Sequence, residues 1–412
     1  MEGMTDRTGA AGIITGEDTM VMAPSIIVTT AVGITGVGIT AIGVTELDKA
    51  KMKPAKLFVW ALCLAAPAFA EQGPGVNRVF AGFAYYFGGV AKASEGDVNG
   101  AIADFNRLIQ VNPKDELAYY NRALLEANKG DFDTAIADFN HAIQLRPTFA
   151  RAYNDRGSVK AAKRDMVGAI ADFNLAIQLS PQFVQAYLNL GSAKANAGDF
   201  DSAIADFNHA VRLDADSVEA LENLGSAKVR SGDFEGAIAD YNQAIQLNPK
   251  YFAAFEKRAL AKQLEGDFQG ALSDLVLFDE LAPSVDSQDY PHLYTWLVRA
   301  RGGQIAEADR ELAAYLGTRR NMAVADWISE IGRFLLDQIS ESDFLDDATS
   351  SDLEKDRAQH CEAWYYVGMK RLLAGDKKTA ALYFDKCLGT QEKNFDEYIL
   401  AQAELKSLGT TN

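Results

Sequence analysis

The sequence predicts an all-α solenoid, a row of helical hairpins stacked side by side, and three observations lead to it. The first is a period. The segments EGDVNGAIADFN at 95, KGDFDTAIADFN at 129, KRDMVGAIADFN at 163, AGDFDSAIADFN at 197, SGDFEGAIADYN at 231 and EGDFQGALSDLV at 265 each begin 34 residues after the one before. A fixed period of that length is the mark of a repeat architecture. The second is punctuation: most periods hold two helical stretches separated by Gly-Asp and closed by proline. The third is composition. Of 412 residues, 48% are hydrophobic, 24% are charged and 10 are proline, which is a folded chain and not a disordered tail.

Each element then follows from a residue type at a fixed place. Gly96, Gly130, Gly198, Gly232 and Gly266 stand at the end of the first helix, where a positive φ costs least without a side chain. Asp97, Asp131, Asp199, Asp233 and Asp267 follow as N-caps of the second helix. Arg164 replaces the glycine once, and that turn should be the least stable. Gly157, Gly191, Gly225, Ala203 and Ala237 let paired helices approach, with Tyr119, Tyr153, Tyr187 and Phe207 expected to fill the gaps. Pro113, Pro147, Pro181, Pro249 and Pro283 stop the second helix, and Ala215 in one of these places leaves that boundary less sharply set.

Units counted from Gly82, Glu116, Ala150, Val184, Val218 and Phe252 give six repeats ending at Val285, within a segment 71–285. Residues 286–360 hold a degenerate pair, HLYTWLVRAR and IAEADRELAAYL, around Gly303, then the aromatic helix ADWISEIGRFLLDQ and a capping box Ser340-Glu341-Ser342-Asp343. Residues 361–412 restore the repeat spacing at Gly368, Gly375, Ala380 and Phe384, and FDEYILAQAEL closes the row as a capping helix.

The start of the chain has another character. Lys53 and Lys56, the apolar run Leu57 to Pro67 and Ala68-Phe69-Ala70 form a secretory signal peptide over 52–70, cleaved between Ala70 and Glu71. Residues 1–51 are then an over-extended gene start. The uncharged stretch Ala23 to Val44 is too rich in Gly and Thr to be preferred as a membrane span. Gly36, Gly38 and Ala41 lack the helix and the later acid that a dinucleotide fold requires. Leu62 before Cys63 does not suit lipid attachment, which favours release into the periplasm, with association at the envelope membrane as the variant.

The repeat residues themselves, Ala135, Phe139, Ala142 and Pro147 in one unit and Ala237, Tyr241, Ala244 and Pro249 in another, resemble the tetratricopeptide repeat, a helix-turn-helix unit. The resemblance implies a right-handed superhelix whose first helices line the concave face. The order DWISEIGRFLL, ISESDFLDDA, EAWYYVGMKRLLAGDKKTAALYF, FDEYILAQAEL resembles the end of the NlpI-type lipoproteins of Gram-negative bacteria. That resemblance implies a non-enzymatic, dimeric envelope adaptor that brings peptidoglycan hydrolases to a processing protease.

Charge and motif content narrow the chemistry. A net charge of −17 argues against a phosphate-binding surface, so nucleic acid is a poor partner. His141, His209, His292 and His360 show no metal-ligand spacing with the three cysteines. No metal or cofactor is expected. Asp104, Asp138, Asp172, Asp206, Asp240 and Asp274 recur once per repeat, as do Lys160, Lys194, Lys228 and Lys262, which suits ion pairing between helices better than catalysis. His360 beside Cys361 is a weak nucleophile pair. Cys361 and Cys387, placed at matching ends of the last hairpin, are expected to form a disulfide in an oxidising compartment.

The binding surface is expected on the concave face. The sixth residue of successive units is Asn121, Asp155, Asn189 and Asn223, ending at Lys257, and Tyr120, Leu188, Ser158, Ser192 and Ser226 flank this row. A side-chain amide can pair with an extended peptide backbone without reading its side chains. The row resembles the asparagine ladder of O-linked N-acetylglucosamine transferases, and the competing reading is amides that bridge the repeats themselves. The expected function is a periplasmic scaffold for protein or extended peptide segments, with a homodimer as its assembly. The alternative is a cell-envelope enzyme acting on peptidoglycan glycan or peptide through residues 286–360.

Overall fold

The computed structural model describes residues 74–282, 289–319, 326–393 and 395–409, and the regular elements among them are α-helices. The expectations for residues 1–70, for cleavage before Glu71 and for Pro283 lie outside the described residues. The chain divides into two compact units, one ending at Ala193 and one beginning at Lys194.

The first unit holds α1 (Pro74–Ser94), α2 (Val98–Val111), α3 (Glu116–Asn128), α4 (Phe132–Leu145), α5 (Ala150–Ala162), α6 (Met166–Leu179) and the start of α7 (Val184–Asn196). Helices α3, α5 and α7 begin at the residues the period predicts, whereas α1 begins at Pro74 and so extends ahead of Gly82. The turn chemistry is as expected. Gly96 and Gly130 have φ of 81° and 82°, and the next aspartates, Asp97 and Asp131, accept from the amides of Gly100 and Thr134 at 2.9 and 3.2 Å. Arg164 adopts the same turn with φ of 64°. A side chain there is strained, yet Asp165 still caps α6 through the amide of Gly168 at 2.9 Å.

Inside the hairpins of this unit an aromatic ring of the second helix lies against a small residue of the first. A Cβ placed on Gly157 would lie 2.7 Å from the Phe173 ring, so nothing larger than glycine fits without moving that ring. Phe105, Phe139 and Phe173 are the buried gap-fillers of this unit. Tyr119, Tyr153 and Tyr187, expected in that role, are only half-buried. Arg122 and Arg156 lie over the rings of Tyr119 and Tyr153, at 5.7 and 5.3 Å.

The recurring acids are structural, as their repetition suggested. Asp138 accepts a forked pair of hydrogen bonds from Arg122, both 2.6 Å, and Asp172 does the same with Arg156 at 2.8 and 2.6 Å. Each arginine also reaches the preceding repeat, at Asn106 or Asn140. Lys160 adds a second cation to Asp172 at 2.8 Å. These pairs are not the weak surface kind, because the Asp138 and Asp172 side chains are only 4% and 3% exposed.

The second unit continues with α8 (Phe200–Leu213), α9 (Val218–Ser231), α10 (Phe234–Leu247), α11 (Phe252–Glu265) and α12 (Phe268–Leu281). Ala215 does not blur the end of α8. The Asp214 amide donates to Ala210 at 2.9 Å and its carboxylate accepts from the Asp216 amide at 3.2 Å, the same side-chain turn that Asn112 and Asn248 make before Pro113 and Pro249, so the turn stands without the proline. The degenerate pair is α13 (Asp289–Arg301) and α14 (Ile305–Arg319), joined at Gly303 with φ of 77°. Then come α15 (Trp327–Leu335) and α16 (Glu341–Asp347), the latter capped by Ser340 through the Asp343 amide at 3.1 Å.

The irregular part is packing. Trp327 and Phe334 both stack on Phe344, at 5.2 and 4.3 Å. The buried Glu362 accepts from Tyr290 at 2.7 Å and from the Trp327 indole, tying α13, α15 and α17 (Leu353–Leu373) together. Since α17 begins at Leu353, the boundary expected at 361 falls inside a helix. The hairpin closes with α18 (Lys377–Gly389) and α19 (Asp396–Ser407) packs on it as a cap.

Cys361 therefore lies within α17 and not at its start, yet it still faces Cys387. The two are free buried thiols with sulfurs 3.3 Å apart, so the expected bridge is not formed in this structure. A bond requires about 2.05 Å. The hydrogen bond with Cys361, followed by burial, pushes the Cys387 thiol well above its ordinary value, which disfavours the thiolate that exchange needs.

Two stability predictions follow. Relieving the left-handed arginine by Arg164→Gly should stabilise the protein by about 1 kcal/mol, read as a rise in denaturation midpoint at constant slope. Arg122→Ala leaves the buried Asp138 without that cation and should cost about 3 kcal/mol. Arg156→Ala should cost less, because Lys160 still reaches Asp172. Equal losses in urea titrations would show that the lysine contributes nothing.

Candidate peptide-binding surface

The first helices carry the residues expected to bind peptide, and in the first unit these residues bond to one another. Tyr86 of α1 shares a side-chain hydrogen bond with Asn121 of α3, whose amide also donates to the Leu117 carbonyl at 2.7 Å. Tyr120 donates to Asp155 at 2.7 Å, and Asn154 donates to the other oxygen of Asp155 at 3.0 Å. Asn189 donates to Asn154 at 2.9 Å, approaches Ser158 at 3.4 Å and accepts from Gln185 at 3.2 Å.

A rule underlies these contacts. The fifth residue of one repeat bonds the sixth residue of the next, a spacing of 35 residues. The second unit repeats it with charge, as Glu222 and Lys257 lie 3.5 Å apart. Sequence reasoning found the sixth positions but missed their fifth-position partners Tyr86, Asn154 and Glu222. The signal was present as a polar or aromatic residue 35 places before Asn121, Asp155, Asn189 and Lys257, whereas Asn223 has Leu188 in that place.

Burial tunes the acid in this row. It raises the Asp155 carboxyl, opposed by the hydrogen bonds from Tyr120 and Asn154, and it raises the Tyr120 hydroxyl, with the Asp155 charge adding to the effect. The flanking residues divide. Tyr120, Ser158 and Ser192 are half-buried and Ser158 donates to the Asn154 carbonyl at 3.2 Å. Leu188, expected to flank the ladder, is 2% exposed and belongs to the core.

In the second unit Asn223 and Ser226 lie half-buried on α9. Ser226 shares a hydrogen bond with Tyr241 at 3.2 Å, and burial pushes the Tyr241 hydroxyl up to about 12. Tyr251 donates to Glu222, so that carboxylate serves two repeats. The weaker nucleophile pair does not assemble. His360 Nδ1 points to the Asp356 carbonyl at 2.9 Å and its ring lies 4.9 Å from Trp364, while the Cys361 sulfur faces Cys387.

Comparison with known proteins agrees with the period. Residues 117–149 match one family model of the tetratricopeptide repeat, and residues 188–252 and 223–277 match another. Curated proteins give no match. Among solved structures, the chain is similar to YrrB, a TPR protein with an unusual peptide-binding site, at 22% identity over 44% of this chain and 93% of that one, with a TM-score of 0.39. A tetratricopeptide repeat protein from Parabacteroides merdae ATCC 43184 is 16% identical over 62% and 98% of the two chains, with a TM-score of 0.46. Pseudomonas aeruginosa pilF is 18% identical over 52% and 97%, with a TM-score of 0.45.

Because the Asn121 and Asn189 amides bridge repeats, changing both to Ala should lower stability by about 1 to 2 kcal/mol. An unchanged thermal midpoint would mean that the amides hold nothing together in solution.

Proposed function

We propose that the protein is a non-enzymatic scaffold of the bacterial periplasm that holds extended protein segments on the inner face of its first helices. The observation behind this reading is the continuous polar row Tyr120, Asp155, Asn154 and Asn189 on tetratricopeptide-type hairpins. Tetratricopeptide repeats are protein-interaction units, and an extended segment can bond to such a row through its backbone. The NlpI resemblance extends the proposal to its partners, peptidoglycan hydrolases or a processing protease, and to a homodimeric assembly at the envelope.

Site-specific photo-crosslinking in the native host tests the surface. A crosslinker replacing Tyr120 or Ser192 should capture a partner, and one replacing Val167, which is 83% exposed on a second helix, should not. Adducts from Val167 alone would move the interaction to the other face. The enzyme alternative is tested by turnover of peptidoglycan by residues 71–412. Turnover abolished by one substitution within 286–360 would replace the scaffold reading.

The periplasmic reading has a redox consequence. On export, transfer of two electrons and two protons from Cys361 and Cys387 to a disulfide-type oxidant would close the pair. The sulfurs need to move closer from 3.3 Å, and the closed loop would add about 3 kcal/mol in the chain-entropy description. Alkylation of unfolded, unreduced protein from the host should find no free thiol, together with an N-terminus at Glu71. Two alkylated cysteines or an intact Met1 would argue for another compartment.

A further inference from the structure

The first helices of the second unit already hold a segment of their own chain. After α18 the backbone turns at Gln391, with φ of 62°, and returns toward α9. There the Arg230 guanidinium donates to the carbonyl oxygen of Lys393. Asp396, in the first turn of α19, sets its charge against Arg230 and Lys257. Ile399 packs on the cluster of Val229, Tyr241 and Ala261. A backbone carbonyl, a carboxylate and an apolar side chain are thus received by one surface, which is how a bound peptide is held.

The two sides of α19 are anchored differently. Toward the last hairpin and α13 it buries Leu400, Ala401 and Leu405, with Glu397 between Tyr294 and Tyr366 at 3.2 and 3.3 Å and Glu404 on Arg301 at 3.1 Å. Toward α9 and α11 the segment sets Lys393, Asp396 and Ile399, and Asp396 also accepts from Tyr294 of α13 at 3.3 Å. The contact toward α9 and α11 rests on fewer groups than the contact toward the last hairpin. Its charges pair Asp396 with Arg230 and Lys257 on the receiving helices, where Lys257 also lies 3.5 Å from Glu222.

We propose that the first-helix face of α9 and α11 is a receptor for acidic segments that enter it as the start of a helix, and that Lys393, Asp396 and Ile399 occupy it in cis until a partner segment of the same chemistry displaces them. This rests on the reading of the first helices as a peptide-binding face, and it adds the partner's chemistry and the regulation of one part of that face.

The test uses the full chain and a fluorescein-labelled peptide of residues 390–408 followed by anisotropy. Wild type should bind weakly. Asp396→Lys and, separately, Ile399→Ser loosen the cis segment and should each bind the peptide at least tenfold more tightly, with circular dichroism and melting showing a folded chain. Adding Lys257→Glu to either variant should remove the gain. Equal affinity of wild type and both variants would overturn the proposal, as would equal binding of a peptide with Asp396 and Glu397 changed to Lys. Amide hydrogen exchange on wild type gives a reading free of substitutions: saturating peptide should speed exchange at 396–399, and unaltered exchange there overturns the displacement. Crosslinking from Tyr120 in the first unit is untouched by these changes, so failure of the cis-occupancy proposal is distinguishable from failure of the peptide-binding reading.

Discussion

The turn between the two helices of a hairpin is the constraint on which the rest depends. A left-handed residue followed by a capping aspartate reverses the chain in the fewest residues and fixes where the second helix begins. Once that start is fixed, the aromatic ring eight residues after the capping aspartate meets a small residue of the preceding helix, as Phe173 meets Gly157. The turn tolerates Arg164 because the aspartate cap and the packing beyond it over-determine the conformation. Local chemistry thereby sets the period, and the period sets what can touch what.

Hairpins need a second device to stack, and the buried aspartate supplies it. Arg122 and Arg156 hold the aspartate of their own second helix with one edge and an asparagine of the preceding repeat with another. One guanidinium thus joins three helices, which a lysine cannot do with a single ammonium. Where the repeat carries lysine alone, the arrangement is less balanced. Burial raises the Asp206 and Asp240 carboxyls, and Lys194 and Lys228 offset only part of that effect. The second unit regains the fork at Arg258, which holds Asp274 and reaches Asn242, and at its C-terminal end Trp327, Phe334 and Phe344 stack and Tyr365 and Tyr366 are fully buried.

The same first-helix positions serve two purposes in the two units. In the first, polar side chains pair across repeats in a row where Asn154 is buried and Tyr120, Asp155 and Asn189 are half-buried. In the second, Glu222 and Lys257 form a charged pair and the chain's own end arrives beside them. A repeat protein can differentiate in this way because each residue answers mainly to its neighbours in adjacent repeats. Substitution at one rung changes chemistry without changing the fold.

What the sequence determined by itself was everything local. The glycine and aspartate turns, the starts of α3, α5, α7, α9 and α11, the degenerate pair at Gly303 and the cap at Ser340 were legible because short-range sterics and capping decide them. The burial of Leu188, the Tyr119 and Tyr153 rings left to arginine, the bonds from fifth to sixth positions and the meeting of Arg230 with Lys393 were not. Those depend on how far one hairpin is rotated on the next. That rotation is a sum of packing choices over whole helices, and no single spacing in the chain encodes it. The tertiary structure alone decided that Asn121 and Asn189 bridge repeats and that the capping helix reaches back to the first helices of its own unit.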